Sequence, residues 1–105
     1  MSIAVIALSL ILASLALAGQ IVTRPAWITP FAWRVAVCET GKGNAYPDFR
    51  HHAGSYEGAW GWYHGTWLLD RMAGMPRHAY DASPREQYRV FQIGRARGRY
   101  WGCIR

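Results

Sequence analysis

At 105 residues the chain has room for one domain and little else. Twelve basic against six acidic side chains give a net charge of +6, which suits an anionic partner such as a cell wall, a membrane surface or nucleic acid. Eleven of the twelve basic residues are arginine, a bias that a GC-rich genome also produces.

The first 23 residues carry no charged side chain, and Ile3–Ala18 is apolar apart from Ser9 and Ser14. As a helix those positions span about 24 Å, short of the ~30 Å hydrocarbon core. Ala16 and Ala18 before Gly19 form an A-x-A cleavage pattern, so residues 1–18 read as a secretory signal peptide, although no Lys or Arg precedes the apolar run. The alternative is an uncleaved membrane anchor running on to Val22. Either sends residues 19–105 across a membrane as one exported domain.

Thr29-Pro30 is a helix start, with threonine to cap and proline at the first helical position. Phe31, Val35 and Cys38 follow at helical spacing, and Gly41 supplies the stop. Residues 40–65 alternate glycine with aromatics and read as loop, with a short hairpin around Ser55–Tyr63. A second helix is expected over Thr66–Ala73, stopped by Gly74. After a turn-rich connection, Ser83-Pro84-Arg85-Glu86 is a capping box that opens a last helix whose buried stripe contains Tyr88, Val90 and Phe91. The fold class is α+β and predominantly α.

Two cysteines, Cys38 and Cys103, are an even count in an exported chain and read as a disulfide. Such a bridge closes a loop of about 66 residues, worth roughly 4 kcal/mol on the chain-entropy argument. The alternative is a pair of free buried thiols.

Glu39 stands in the last turn of the first helix, where the partial negative charge of the helix end disfavours an ionised carboxylate. Neighbouring tryptophans that exclude water disfavour it further. A carboxylic acid kept protonated is what general-acid cleavage of a glycosidic bond requires. The plainer reading is a solvated acid at a helix end.

Four pieces of the chain, "AVCETGKGN", "YEGAWGWYHGTW", "ASPREQ" and "YWGCI", stand in an order and at a spacing that resemble the resuscitation-promoting factor family, transglycosylase-like domains of actinobacteria with a reduced lysozyme-like fold. The resemblance covers about residues 31–105. It implies that Glu39 is the catalytic acid, that Thr66 and Gln87 contact glycan, and that Cys38 and Cys103 are the paired cysteines. Where the family has Gln-Phe-Ser or Gln-Phe-Asp before Thr-Trp, this chain has Gly61-Trp62-Tyr63. Lys42 is inserted, the loop through His51-His52 is longer, and the family's tryptophan before the helix sits one position off, at Trp33. These departures bear on substrate preference more than on fold.

The function implied is an exported, wall-associated enzyme that cuts the MurNAc–GlcNAc bond of peptidoglycan, as a lytic transglycosylase or a muramidase. Hydrolases of this kind use two carboxylates; Asp48, Glu57 and Asp70 are candidates for the second, and none has a motif behind it. A lytic transglycosylase needs only Glu39. Tyr56, Trp60 and Trp62 are expected to stack on sugar rings, the alternative being core packing in a domain poor in Leu and Ile. His51, His52, His64 and His78 lack a metal-ligand spacing such as HExxH, so no metal and no cofactor are expected. Export argues against nucleic acid as the partner of the basic face. A monomer is expected, touching a membrane only through an uncleaved anchor. The rival functions are a wall-binding module without turnover and a small disulfide-stabilised interaction protein.

Overall fold

A computed structural model describes residues 20–104. The expected signal or anchor helix, 1–18, lies outside these residues. Among them no helix is long and apolar enough to cross a membrane.

Helix α1 runs Pro30–Thr40 and begins as its sequence dictates: Thr29 is extended, its Oγ1 accepts the Ala32 N–H at 3.2 Å, and proline occupies the first turn. Its buried face is Ala32, Trp33, Val35, Ala36 and Thr40. Phe31 and Cys38, at helical spacing from Val35, lie at the surface, because the face that meets the core follows the 32–36–40 spacing of i, i+4 neighbours. Phe31 receives the Arg95 guanidinium at 5.6 Å from its ring centroid. Gly41 ends the helix in a right-handed conformation, and the reversal falls one residue later, at Lys42 (φ 51°) and Gly43 (φ 87°).

The glycine-rich stretch builds a three-stranded antiparallel sheet of two-residue strands: β1 His52–Ala53, β2 Tyr56–Glu57 and β3 Trp62–Tyr63, in that order. Tyr56 pairs with Tyr63 and Glu57 with Trp62. Strand alternation therefore puts both tyrosines on one face, exposed, and Glu57 and Trp62 on the other, buried. Gly58 (φ +78°) turns β2 toward β3 at a point where a Cβ would fall 2.8 Å from the Ala79 Cβ and 2.9 Å from Gln87 Oε1. Only glycine fits there.

Helix α2 spans His64–Asp70, two residues earlier at its start and three earlier at its end than the sequence suggests. It grows directly out of β3. It stops where Arg71 turns extended (ψ 151°) and its guanidinium donates to the Met75 carbonyl at 2.8 Å. A 3-10 helix, Ala79–Asp81, interrupts the connection to α3, Pro84–Ala96. The capping box is formed: Glu86 N–H donates to Ser83 Oγ at 3.1 Å and Ser83 N–H to Glu86 Oε1 at 2.9 Å. Tyr88, Val90 and Phe91 are buried, as the stripe predicts. The architecture is thus a small α+β fold.

Aromatic rings fill most of the core, with Ile28 the one Leu or Ile buried among the described residues. Trp60 stacks on Phe91 at 5.0 Å between centroids and meets Phe49 edge-on at 5.9 Å, while Trp62 and Trp67 form a T at 5.1 Å. Trp60 Nε1 donates to the Ala32 carbonyl at 3.0 Å and Trp67 Nε1 to that of Pro76 at 2.9 Å, so burial leaves these two donors satisfied.

The disulfide between Cys38 and Cys103 is present, with 5.9 Å between Cα atoms. It fastens the C-terminal segment to the last turn of α1.

Gln87 is fully buried and its amide is spent inside the protein. Nε2 donates to the carbonyls of Phe49 (2.8 Å) and Ala82 (3.1 Å), and Oε1 accepts the Ala59 N–H (2.8 Å). The expectation that it contacts glycan gives way to a structural role: it staples α3 to the loop before β1 and to the β2–β3 turn. Gln87→Leu strands three buried backbone groups and is expected to cost about 3 kcal/mol or more, read as a lowered urea midpoint.

Candidate functional site

Glu39 leaves α1 half-buried in its last turn. Its Oε1 accepts the backbone N–H of Cys103 at 3.0 Å. The disulfide one residue before Glu39 sets the position of that N–H, so covalent and hydrogen bonds fix the carboxylate together. Thr40 anchors the helix end from the other side. Its Oγ1 donates to the Ala59 carbonyl at 2.8 Å and accepts the Asp48 N–H at 3.0 Å. A Cβ on Gly61 (φ +60°) would stand in van der Waals contact with Glu39 Oε2, at 3.8 Å. The missing side chain leaves the space beside that oxygen open.

A cavity of about 260 Å³ opens at this carboxylate. Of the six residues expected to act or to contact glycan, Glu39, Tyr56, Trp62 and Thr66 line it. The other two do not: Trp60, like Gln87, is completely buried in the core and has no face to offer a ligand. Trp62 is also nearly buried, but it borders the cavity, and its Nε1 is the one buried side-chain polar atom among the described residues without a hydrogen-bond partner. A buried donor left unpaired at the edge of a cavity suits a ligand acceptor.

Tyr63, Arg99, Tyr100, Trp101 and Gly102 also line the cavity, and sequence reasoning assigned none of them to the site. Tyr63 lies directly across from Tyr56, with 6.1 Å between ring centroids, and both rings are more than half exposed. They form a rim with Tyr100, which is 75% exposed. The signal for the C-terminal residues was their closeness in sequence to Cys103, whose bridge brings them to Glu39.

Asp70 holds this C-terminal wall. Its carboxylate is buried and accepts from Arg99 Nε (3.0 Å) and Nη2 (3.0 Å) and from Arg97 Nη1 (2.8 Å). Burial by itself raises the Asp70 pKa, but the hydrogen bonds and charges of Arg99 and Arg97 outweigh it and hold the carboxyl below its ordinary value. A depressed carboxylate pKa contributes stability that is fully present above the unfolded value of 3.8 and is lost as pH falls through the lower folded value. Asp70→Asn is expected to lower stability by about 1–3 kcal/mol at neutral pH, less than a fully buried pair, because both guanidinium groups reach solvent. The same substitution should flatten the acid limb of the stability–pH curve below pH 3.8, where that contribution is lost, measured by urea unfolding from pH 6 to pH 2.

Glu57 is held on the buried face of the sheet. Burial pushes its pKa up, but hydrogen bonds from His64, the Ala79 N–H and His78 prevail and keep it ionised below the usual range. His64 Nδ1 lies 3.0 Å from Oε1 and His78 Nδ1 3.1 Å from Oε2. The linear spacing 57–64–78 concealed this grouping of two of the four histidines.

All six acidic residues are thereby placed. Among the described residues Glu39 is the only carboxylate lining the cavity. Asp48 accepts the Arg50 N–H, Glu57 its histidines, Asp70 its arginines, Glu86 the cap of α3, and Asp81 borders a different cavity beside Tyr80. The sequence-stated candidates for a second acid, Asp48, Glu57 and Asp70, are engaged elsewhere.

Comparison of the chain with family models, with curated proteins and with solved structures gives no match.

Proposed function

We propose that the chain is an exported peptidoglycan-cleaving enzyme of the resuscitation-promoting-factor type, with a reduced lysozyme-like fold, that cuts the MurNAc–GlcNAc bond by lytic transglycosylation. The observation that carries this reading is a single carboxylate, Glu39, in a cavity rimmed by aromatic rings. The disulfide is consistent with an extracellular location.

Glu39 acts first as general acid. Oε1 is committed to the Cys103 N–H, so Oε2, with open space beside it at Gly61, carries the proton to the glycosidic oxygen. The C1–O bond breaks, and the N-acetyl group of the muramoyl residue stabilises the cation. The resulting carboxylate then takes the proton of the 6-hydroxyl as that oxygen bonds to C1, giving a 1,6-anhydro product and restoring the acid. No second carboxylate enters, whereas hydrolysis ordinarily employs one to activate water or to bond the sugar. Tyr56 and Tyr63 offer apolar ring faces to the C–H faces of the glycan, and Thr66 and the free Trp62 Nε1 supply polar contacts.

The test is digestion of purified actinobacterial peptidoglycan by the oxidised protein, with products identified by mass spectrometry. Anhydro-muropeptides support the proposal. Reducing-end products replace transglycosylation by hydrolysis. Binding to the wall without release of fragments makes the protein a binding module.

A further inference from the structure

None of Glu57, His64 and His78 lines the cavity at Glu39, and the group takes no part in the chemistry proposed above. One ligand atom from each of the three residues can be chosen so that all lie within 4.8 Å of one another. Glu57 is 2% exposed, His64 31% and His78 40%, so a buried anion faces two imidazoles that solvent reaches. Three separate segments supply them: β2, the first residue of α2, and the residue before the 3-10 helix. The Ala79 N–H, at 2.8 Å, fixes Glu57 Oε1 from behind.

We propose that Glu57, His64 and His78 bind a divalent zinc ion. Two imidazoles and one carboxylate are a zinc donor set and a poor one for calcium or magnesium, which take oxygen. Three protein ligands leave the fourth tetrahedral position to water on the exposed side. Zinc bonds of about 2.0–2.1 Å place tetrahedral donors about 3.3 Å apart, so the group has to contract by no more than about 1.5 Å. The two rings are stacked, 4.6 Å between centroids and 21° between planes, each with Nδ1 toward Glu57. To coordinate, they turn so that their Nδ1 lone pairs converge, and each ring moves its proton from Nδ1 to Nε2 through water. Their partial exposure gives them room. The Ala79 N–H stays on the carboxylate as the outer hydrogen bond that orients a metal ligand.

The consequence is a clip behind the aromatic rim. Glu57 adjoins Tyr56 and His64 adjoins Tyr63, so zinc would lock β2 to α2 without touching a ligand in the cavity.

The experiment titrates Zn²⁺ into the full, oxidised, chelator-treated chain against a competing chromophoric chelator. X-ray absorption is then recorded on the one-to-one complex. The expected result is one equivalent bound and two imidazole ligands in the absorption spectrum. His64→Gln with His78→Gln should weaken binding by at least about 100-fold, the upper end of what losing a mere outer partner costs. His51→Gln with His52→Gln should leave binding unchanged. Absence of saturable binding overturns the proposal, as does loss of binding in the His51/His52 variant. Should the His64/His78 variant not fold, ¹⁵N resonances of the wild-type imidazoles decide: zinc must shift Nδ1 of both His64 and His78, and no shift there refutes the site. None of these readouts depends on peptidoglycan cleavage.

Discussion

Glu39→Gln is expected to reduce release of anhydro-muropeptides by about 10²–10⁴-fold, the usual worth of a positioned general acid–base group, and to change folding stability by less than about 0.5 kcal/mol. The second half follows from geometry. The amide oxygen of glutamine still accepts the Cys103 N–H, now 3.0 Å from Oε1, so the link between α1 and the C-terminal segment survives. What disappears is the transferable proton beside Gly61. Turnover assays on insoluble wall, run beside a thermal melt and a pull-down with the same wall, separate the two effects. Lost cleavage with an unchanged melt and retained binding places the acid at Glu39. Cleavage retained at the wild-type rate removes Glu39 from the chemistry, whatever its position in the cavity.

The parts of the fold that were legible in the sequence are those set by local chemistry. Thr29-Pro30 and Ser83-Pro84-Arg85-Glu86 cap helices through bonds to residues three positions away, so a single stretch of chain contains the whole cause. Elements fixed by distant partners were less legible. The end of α2 lies at Asp70, whose carboxylate is bound by arginines 27 and 29 residues on, and no local stop signal marks it. Gln87 looked like a contact for a ligand because a resemblance put it there; its amide is instead consumed by Phe49, Ala59 and Ala82, residues that only the folded chain brings near. The aromatic stretch shows the same limit more sharply. Composition flagged Tyr56, Trp60 and Trp62 alike, but burial depends on register. Pairing of Tyr56 with Tyr63 turns both outward to the cavity rim, whereas Trp60 sits in the turn that folds into the core. The position of Glu39 in the last turn of α1, next to a cysteine, was legible because the helix signals around it are local; that it lines a cavity follows from the distant segments that close around it.

Breaking the disulfide, by reductant or by Cys38→Ser with Cys103→Ser, is expected to cost about 4 kcal/mol of stability, because its 65-residue separation leaves a long loop unconstrained in the unfolded chain. Native stability of a small domain is of order 5–15 kcal/mol, so the melt should fall steeply. A second effect is expected well below the new melting temperature. Arg99 stays clamped to Asp70, and Trp101 stays against Phe91 at 4.7 Å between centroids, so the chain remains held as far as residue 101. Gly102 and Cys103 lose their tether. The Cys103 N–H then no longer has a fixed place over Glu39 Oε1, and one wall of the cavity loosens. Misplacing a catalytic group by about 1 Å costs on the order of 10²-fold, so cleavage should drop about 10–100-fold at a temperature where circular dichroism still reports a folded chain. Activity and ellipticity measured across a reductant series distinguish the two roles. If activity falls only in step with the unfolded fraction, the disulfide stabilises and does nothing more. If activity falls first, the bridge is part of the machinery that aims Glu39.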